Sequence, residues 1–319
     1  MSKKQYLNQD AYRHLCVTTS SLPIFMQDWW LDIVCNNAWD AAIVYNGEQV
    51  MGVWPYPVEQ KLGVKLLRTP LLTPYLGPHI FYPPDLRPSR KDSFEHDAIA
   101  ALLEQMPHAP VWHLTLPPGM KQAGLLQSKD LVAVTRQTFL LDVTRTEAEL
   151  LADMKESHRK NIRQGMKELT IAADPAAVTT LYEWHKATLE RKGRKVAHGI
   201  ALLHLLVAAC ITRGVGTIWT ASKGDEIQAL IWQVWDEGCS YYLMGAQNTE
   251  SGSHKAITTL LWHCMLEGKK RNVATFDLEG SMDPGVERFF RGFGGKRELY
   301  LSVLRNESMT WKLKQQIFG

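Results

Sequence analysis

Residues 42–68 and 217–244 follow the same local plan, and that plan constrains the fold more than any other feature of the chain. The first reads AIVYNGEQVMGVWPYPVEQKLGVKLLR and the second TIWTASKGDEIQALIWQVWDEGCSYYLM. In each, an apolar run meets a turn centred on glycine, at Asn46-Gly47 or Lys223-Gly224. A long second run follows, then another glycine turn at Gly63 or Gly238, then a third run. Asn-Gly between apolar runs signals a hairpin, because the favoured two-residue turn needs positive φ at both positions. The pattern predicts a three-stranded antiparallel meander, used twice. Identity between the copies is low, so the repeat is one of structure.

The surroundings of the second meander extend the reading. Phe139–Val143 is a strand. A helix is expected over 146–168, with Thr146 as N-cap and Glu149 closing a capping box. Asp174-Pro175 starts the next helix, with the acid as cap and the proline at the first turn, and Gly193 ends it. Residues 200–212 form a further apolar helix. After the meander come a helix at 254–270, a strand at 273–278, a short helix from Pro284 to Phe290 and strands near 296–304. Strands and helices alternate, which predicts an α/β (α+β) chain: mixed, mostly antiparallel sheets with helices on their faces. The N-terminal half repeats the plan loosely, with helices at 23–37 and 89–106 and strands at 111–116 and 131–140. The length of 319 residues suits two domains, placed at 1–138 and 139–319.

Composition excludes several classes. Apolar residues make up 45% of the chain, far above the disordered range. A net charge of +3 gives no broad nucleic-acid footprint. Two local basic stretches, 155–167 and 186–195, read either as solvated helix faces or as a rim facing an anionic donor or acceptor. The five cysteines are scattered, with no C-x-x-C pair, which argues against a disulfide framework or a zinc site and suits a reducing cytoplasm. Neither an N-terminal apolar stretch nor an apolar run of spanning length is present. No nucleophile elbow, zinc-binding helix or dinucleotide loop occurs.

The run from Phe276 to Gly295 is the most distinctive stretch. It reads FDLEGSMDPGVERFFRGFGG. It resembles the C-terminal signature of the acetyltransferase-like (GNAT) superfamily that includes the bacterial FemAB peptidoglycan aminoacyltransferases. There a strand ends in an acid and a glycine, a short helix follows, and a Phe-Lys-x-Gly-Phe-Gly type motif closes it. Phe290-Arg291-Gly292-Phe293-Gly294-Gly295 matches, with arginine in the lysine position. Arg159, Lys160, Ile162 and Arg163 resemble the family's basic Arg-x-x-Ile helix. The resemblance spans roughly 140–304. It implies two tandem GNAT-like domains and transfer of an acyl or aminoacyl group to an amine. The donor it implies is acyl-CoA or acetyl-CoA, or else aminoacyl-tRNA. The acceptor would be a small molecule or a cell-envelope precursor. No inserted helical arm between 170 and 215 suggests tRNA, so acyl-CoA is the expected donor. A binding protein that keeps the fold without the chemistry is the third reading.

Acyl transfer to an amine needs an anchor for the donor, a base, oxyanion stabilisation and a proton for the leaving group. Ser251, Gly252, Ser253, His254 and Lys255 lie between a strand and a helix, where backbone N–H groups and the positive helix end favour phosphate. In acetyltransferases the CoA pyrophosphate sits in this place. The same residues also suit an ordinary serine cap. Glu279 follows a strand end, where sites gather in α/β sheets, and is the candidate base or ammonium partner. Tyr242 is the candidate proton donor. Arg291, in a glycine-rich turn, is the candidate cation for an oxyanion or phosphate. Arg159 and Ser281 are expected to contact substrate. No metal is expected.

Overall fold

The computed structural model describes residues 7–248, 254–280, 282–309 and 311. Its elements run α1 (Gln9–Thr18), α2 (Asp28–Cys35), β1 (Trp39–Asn46), β2 (Gln49–Pro57), β3 (Glu59–Lys61), β4 (Val64–Arg68), β5 (His79–Ile80), α3 (Lys91–Gln105), β6 (Val111–Thr115), α4 (Ala123–Gln127) and β7 (Val132–Asp142). They continue with α5 (Glu147–Asp153), α6 (Glu156–Glu168), β8 (Thr170–Ala173), α7 (Val178–Arg191), α8 (Ile200–Arg213), β9 (Gly216–Lys223), β10 (Glu226–Trp235) and β11 (Cys239–Gln247). The chain closes with α9 (His254–Lys270), β12 (Thr275–Asp277), α10 (Pro284–Arg291) and β13 (Lys296–Asn306). Among the described residues no helix is long and apolar enough to cross a membrane.

Contacts divide the chain into two compact units, Met1–Arg136 with Leu299–Gly319, and Gln137–Glu298. The last segment joins the first unit because β13 pairs antiparallel with β6, from Ser302↔Thr115 to Asn306↔Val111. In that unit β1, β2 and β5 form one antiparallel sheet, and β3, β4, β6 and β13 follow one another in a second. The expected first meander is therefore split. β2 pairs with β1 as far as Trp39↔Pro57, whereas β3 and β4 pair with each other in the other sheet. Pro55 and Pro57 explain the split. Lacking N–H groups, they withhold two donors of the same parity from any second ladder.

The second unit orders its strands β7-β12-β11-β10-β9-β8. Here the expected meander forms, β9 to β10 to β11, all antiparallel. Helix α9 is apolar on nearly all sides and buries Ile257, Leu260, Leu261, Cys264 and Met265 against Trp219, Ala229 and Ile231 of the meander. At the centre the Gln233 amide is fully satisfied. Its Oε1 accepts from Trp219 Nε1 at 2.7 Å, and its Nε2 donates to Ser240 Oγ at 2.7 Å and to the Cys264 carbonyl at 2.8 Å. A buried amide so placed fixes strand register as well as packing.

The helix expected over 146–168 is two helices. Thr146 caps the first with the expected capping box, but Met154 is extended and the second begins after Lys155. The break has partners for its backbone. Arg159 Nη1 donates to the carbonyls of Ala152 and Met154, at 3.2 and 2.7 Å, and Lys155 N donates to the Gly292 carbonyl at 2.8 Å. The side chains of Met154 and Ile162 are buried on either side. Strand β8 and helix α1 escape the sequence reading; β8 is four residues with three exposed or half-exposed alanine and threonine side chains, too short for a period to show.

Helices α6 and α9 touch at Gly165. A methyl group there would lie 2.0 Å from Thr259 Oγ1 and 2.8 Å from its Cβ. Thr259 is itself held by donation to the Lys255 carbonyl at 2.8 Å. Gly165→Ala gains helix propensity but must part the two helices. Chemical unfolding should show it less stable by about 1–3 kcal/mol, the usual range for overpacking. Unchanged or increased stability would mean that the helices do not meet at this glycine.

Candidate functional site

The site begins where two parallel strands stop pairing. β11 and β12 pair at Cys239↔Thr275, Ser240↔Phe276 and Tyr241↔Asp277, and no further. β12 ends at Asp277, while β11 runs on to Gln247. The edge of β11 from Tyr242 onward therefore lies open on that side. Its polarity follows from the register on the other side. Asn248 N donates to the Gln228 carbonyl, and Leu230 stands opposite Ala246. In an antiparallel ladder the bonded positions alternate, so the N–H and C=O groups of Gly245 and Gln247 face the opening.

Three features turn the chain away after Asp277. Its Oδ1 accepts from Thr138 Oγ1 at 2.5 Å and from Glu279 N at 2.7 Å, which folds the backbone back on the buried carboxylate. Glu279 and Gly280 both take positive φ, 55° and 54°. Any Cβ at Gly280 would lie 1.9 Å from the Gln137 carbonyl oxygen, so only glycine fits against β7. A non-glycine residue held in the left-handed region is uncommon and is found at sites whose surroundings enforce it.

Glu279 is carried by this turn. The residue is partly accessible, but its Oε1 is buried and has no hydrogen-bond partner among the described residues. Burial, and next the nearby Asp277 carboxylate, raise its carboxyl well above the usual range. Tyr242 enters from β11. Its ring meets Phe290 edge-on at 5.6 Å between centroids. Burial, and next the charge of Glu279, push its phenol upward. A register shift in β11, where Trp232 faces Met244 but Gln233 faces Tyr242, gives that strand one extra residue. The phenol then lies over Gly245, whose added Cβ would sit 2.2 Å from the hydroxyl oxygen. Glu279 and Tyr242 thus both stand where β11 and β12 stop pairing, near enough for the charge of one to act on the other.

No contact joins the remaining described candidates to this pair. His254 and Lys255 form the first turn of α9; His254 is exposed, with its ring 6.4 Å from Phe289, and Lys255 Nζ meets Glu168 at 2.5 Å. Ser251, Gly252, Ser253 and Ser281 lie outside the described residues. Arg291 is exposed on α10 with Glu287 as its carboxylate neighbour, at 3.8 Å. Arg159 holds the end of α5, as described above. The glycines of the terminal motif have a visible task. A Cβ at Gly292 would strike His158 at 2.6 Å, and one at Gly294, where φ is 79°, would strike the Asp153 carbonyl at 2.6 Å. His158 is buried between Phe289 and Phe293 and its Nε2 donates to the Phe289 carbonyl at 3.0 Å. The motif seats the α5–α6 junction. A cavity of about 610 Å³ in this unit lies at the other end of β12, against Asp142, Thr275 and Gly294, and none of the candidate residues lines it.

Two residues of the site left little trace in sequence. Thr138 is remote from Asp277 along the chain, and nothing local marks it. His185 lies on α7, which packs along β11, near the Gly245 backbone.

The raised Glu279 carboxyl is a stability statement. The folded protein holds this proton more tightly than the unfolded chain. The residue's contribution is therefore most favourable below the ordinary carboxyl range, near pH 4, and is lost as pH rises through the folded value. Thermal unfolding of Glu279→Gln should show a higher Tm than the parent at pH 8, with the gain shrinking towards pH 4–5. Equal Tm values at pH 8 would mean that the carboxyl is not desolvated.

With the geometry in place, comparison with known proteins is informative. Residues 150–291 match the family model described as an acetyltransferase (GNAT) domain. No curated protein matches the chain in sequence. Among solved structures, FemX is similar over 99% of this chain and 100% of its own, with TM-score 0.67 and 14% identity. The C-terminal domain of a putative lysylphosphatidylglycerol synthetase from Agrobacterium fabrum is similar over 98% of this chain and 96% of its own, with TM-score 0.54 and 10% identity. A conserved protein of unknown function from Bacteroides thetaiotaomicron covers 96% and 100%, with TM-score 0.51 and 10% identity. The α9 helix follows β11, and β12 runs parallel beside it, within the matched span. Residues 150–291 thus carry an acetyltransferase (GNAT) domain match, within a chain whose fold is similar to that of FemX.

Proposed function

We propose that the opening between β11 and β12 transfers an acyl group from acyl-CoA to a primary amine of a small molecule or cell-envelope precursor. The observation that carries this reading is the placement of a buried carboxyl and a phenol, Glu279 and Tyr242, beside an unpaired strand edge. Glu279 takes a proton from the amine. Burial raises its affinity for that proton, which makes it a stronger base than an ordinary carboxylate. The amine nitrogen then bonds to the acyl carbon, and the carbonyl becomes an oxyanion. The N–H groups of Gly245 and Gln247, which face the opening, are the donors nearest to hand. The bond from carbon to sulfur breaks, and Tyr242 gives its proton to the departing thiolate. Overall the amine loses one proton and the thiol gains one.

The donor's phosphates belong at the start of α9. Ser251, Gly252, Ser253, His254 and Lys255 precede or open a helix of 17 residues, whose positive end attracts anions. Arg291, exposed on α10, is available to an anionic part of a substrate, and Ser281 follows the turn that carries Glu279. Arg159 serves the fold more directly than the substrate, because its guanidinium is engaged by two carbonyls.

A second reading replaces the acyl group by an aminoacyl group. The lysylphosphatidylglycerol synthetase named among the similar structures favours it. Calorimetric titration separates the two: CoA and acetyl-CoA should bind, whereas aminoacyl-tRNA binding without CoA binding would favour the second. For the chemistry, Glu279→Gln and Tyr242→Phe should each lower kcat by about 10²- to 10⁴-fold, the range for a lost acid or base, with donor affinity little changed. Activity at the parent level in both variants would remove the site from the opening.

A further inference from the structure

We infer that Lys192 is a specificity-determining residue, whose ion pair with Asp283 closes the opening on the side from which the acceptor amine arrives; the inference rests on the acyl-transfer reading of the opening. It follows from the face of the sheet to which each partner belongs. Side chains alternate along a strand, and residues paired across strands share a face. Ala229, Ile231 and Gln233 face α9, since the first two pack on it and the Gln233 amide donates to the Cys264 carbonyl. Tyr242 stands opposite Gln233 and its ring meets Phe290, so α10 lies on the α9 face. Val234 takes the other face. A Cβ at Gly216, its partner across the ladder, would lie 3.0 Å from both Val234 Cγ1 and Cys210 Cβ, which puts α8 on that face. Helix α7 packs on α8 and along β11, so it belongs there too.

Lys192, at the end of α7, nevertheless reaches Asp283, the N-cap of α10. Its Nζ donates to Asp283 Oδ2 at 2.8 Å. Groups from opposite faces of a sheet meet only past the end of a strand. The strand that ends here is β12, at Asp277, while β11 runs on beside it to Gln247. The ion pair therefore crosses the opening. Both partners are set by their own backbone surroundings. Lys192 N donates to the Leu189 carbonyl at 2.9 Å, and Gly193, with φ of 68°, ends the helix. Asp283 Oδ1 accepts from Gly285 N and Val286 N at 2.9 and 3.3 Å, and its Oδ2 turns to the lysine.

Lys192 is exposed and Asp283 half-buried. Ion pairs so placed contribute little and weaken with salt, so this one can part and re-form. The donor's phosphates are proposed to lie at the start of α9, on one face; the α7 side is left for the acceptor. A small amine passes the closed pair. A larger one must part it, which weakens its binding. Discrimination then comes from an obstacle to the larger acceptor and not from a contact with the smaller one.

Lysine footprinting tests the pair without substrate. The full-length protein is treated with the N-hydroxysuccinimide ester of acetic acid, and acetylated lysines are quantified by mass spectrometry, with exposed Lys195 as internal reference. In the parent, Lys192 should react about 2- to 5-fold more slowly than Lys195. The difference should vanish in Asp283→Asn, where asparagine keeps the helix cap, and shrink as salt rises from about 0.05 to 0.5 M. Turnover tests the role. Alanine amide and penta-alanine amide present the same amine and charge at two sizes. With saturating acetyl-CoA, Lys192→Met should lower KM for penta-alanine amide by about 2- to 5-fold, leaving kcat and KM for alanine amide within about twofold. Lys192→Arg keeps the pair and should behave as the parent.

Lys192 as reactive as Lys195 in the parent would overturn the inference. So would a methionine variant with the parent's ratio of the two KM values, or an arginine variant that behaves like the methionine one. If the parent acetylates neither probe nor any other amine with any donor, the acyl-transfer reading fails, and the footprint alone decides whether the pair closes the opening.

Discussion

The pairing of β11 with β12 lasts three residues, and everything proposed for this protein depends on its stopping there. Parallel strands that keep pairing bury their backbone groups on both edges and leave no entry. Here Asp277 ends the ladder. Its carboxylate accepts from a side chain on β7 and from the backbone two residues on, which turns the chain out of the sheet. Glu279 and Gly280 complete that turn in a backbone conformation that few residues accept. Beyond the stop, β11 keeps β10 on one side and has no strand on the other, where its polar groups face the gap with a phenol and a carboxyl beside them.

The arrangement opposes stability to chemistry. A carboxyl that is buried next to another carboxylate costs folding energy when it ionises. The same burial raises its proton affinity, the change a base towards an amine requires. The surrounding core offsets that cost. α9 fills one face of the meander, and Gln233 locks three elements with three hydrogen bonds. Sites of this kind break local rules at a few positions while the rest of the unit obeys them.

How much could be read from the sequence follows from the range over which each feature is encoded. Capping boxes, proline starts and glycine turns act within a few residues, so Thr146, Asp174-Pro175 and the turns at 223–224 and 238 were legible. The meander at 216–247 was legible for the same reason; Glu279 was singled out because it follows a strand end, and Tyr242 because it lies on a central strand of that meander. The split of the first meander was encoded by Pro55 and Pro57, whose missing N–H groups matter only once neighbouring strands are known. The break at Met154 carries neither proline nor glycine; Arg159 and the distant Gly292 make it, and Gly292 lies far along the chain. The terminal Phe-x-Gly-Phe-Gly motif looked like a site signal. Its glycines prove to be clearances for His158 and Asp153. Thr138 acts from a neighbouring strand and could not be assigned from spacing.

The central claim is that the unpaired edge of β11 receives the donor. Hydrogen exchange read at single amides, with and without acetyl-CoA, addresses it most directly. The N–H groups of Gly245 and Gln247 face the gap and should exchange rapidly in the isolated protein. Saturating acetyl-CoA should slow them, together with the backbone around 278–280, while amides of β9 and β10 stay as they were. If acetyl-CoA binds and slows exchange elsewhere, leaving Gly245 and Gln247 unchanged, the opening is not the donor's seat and the account is wrong.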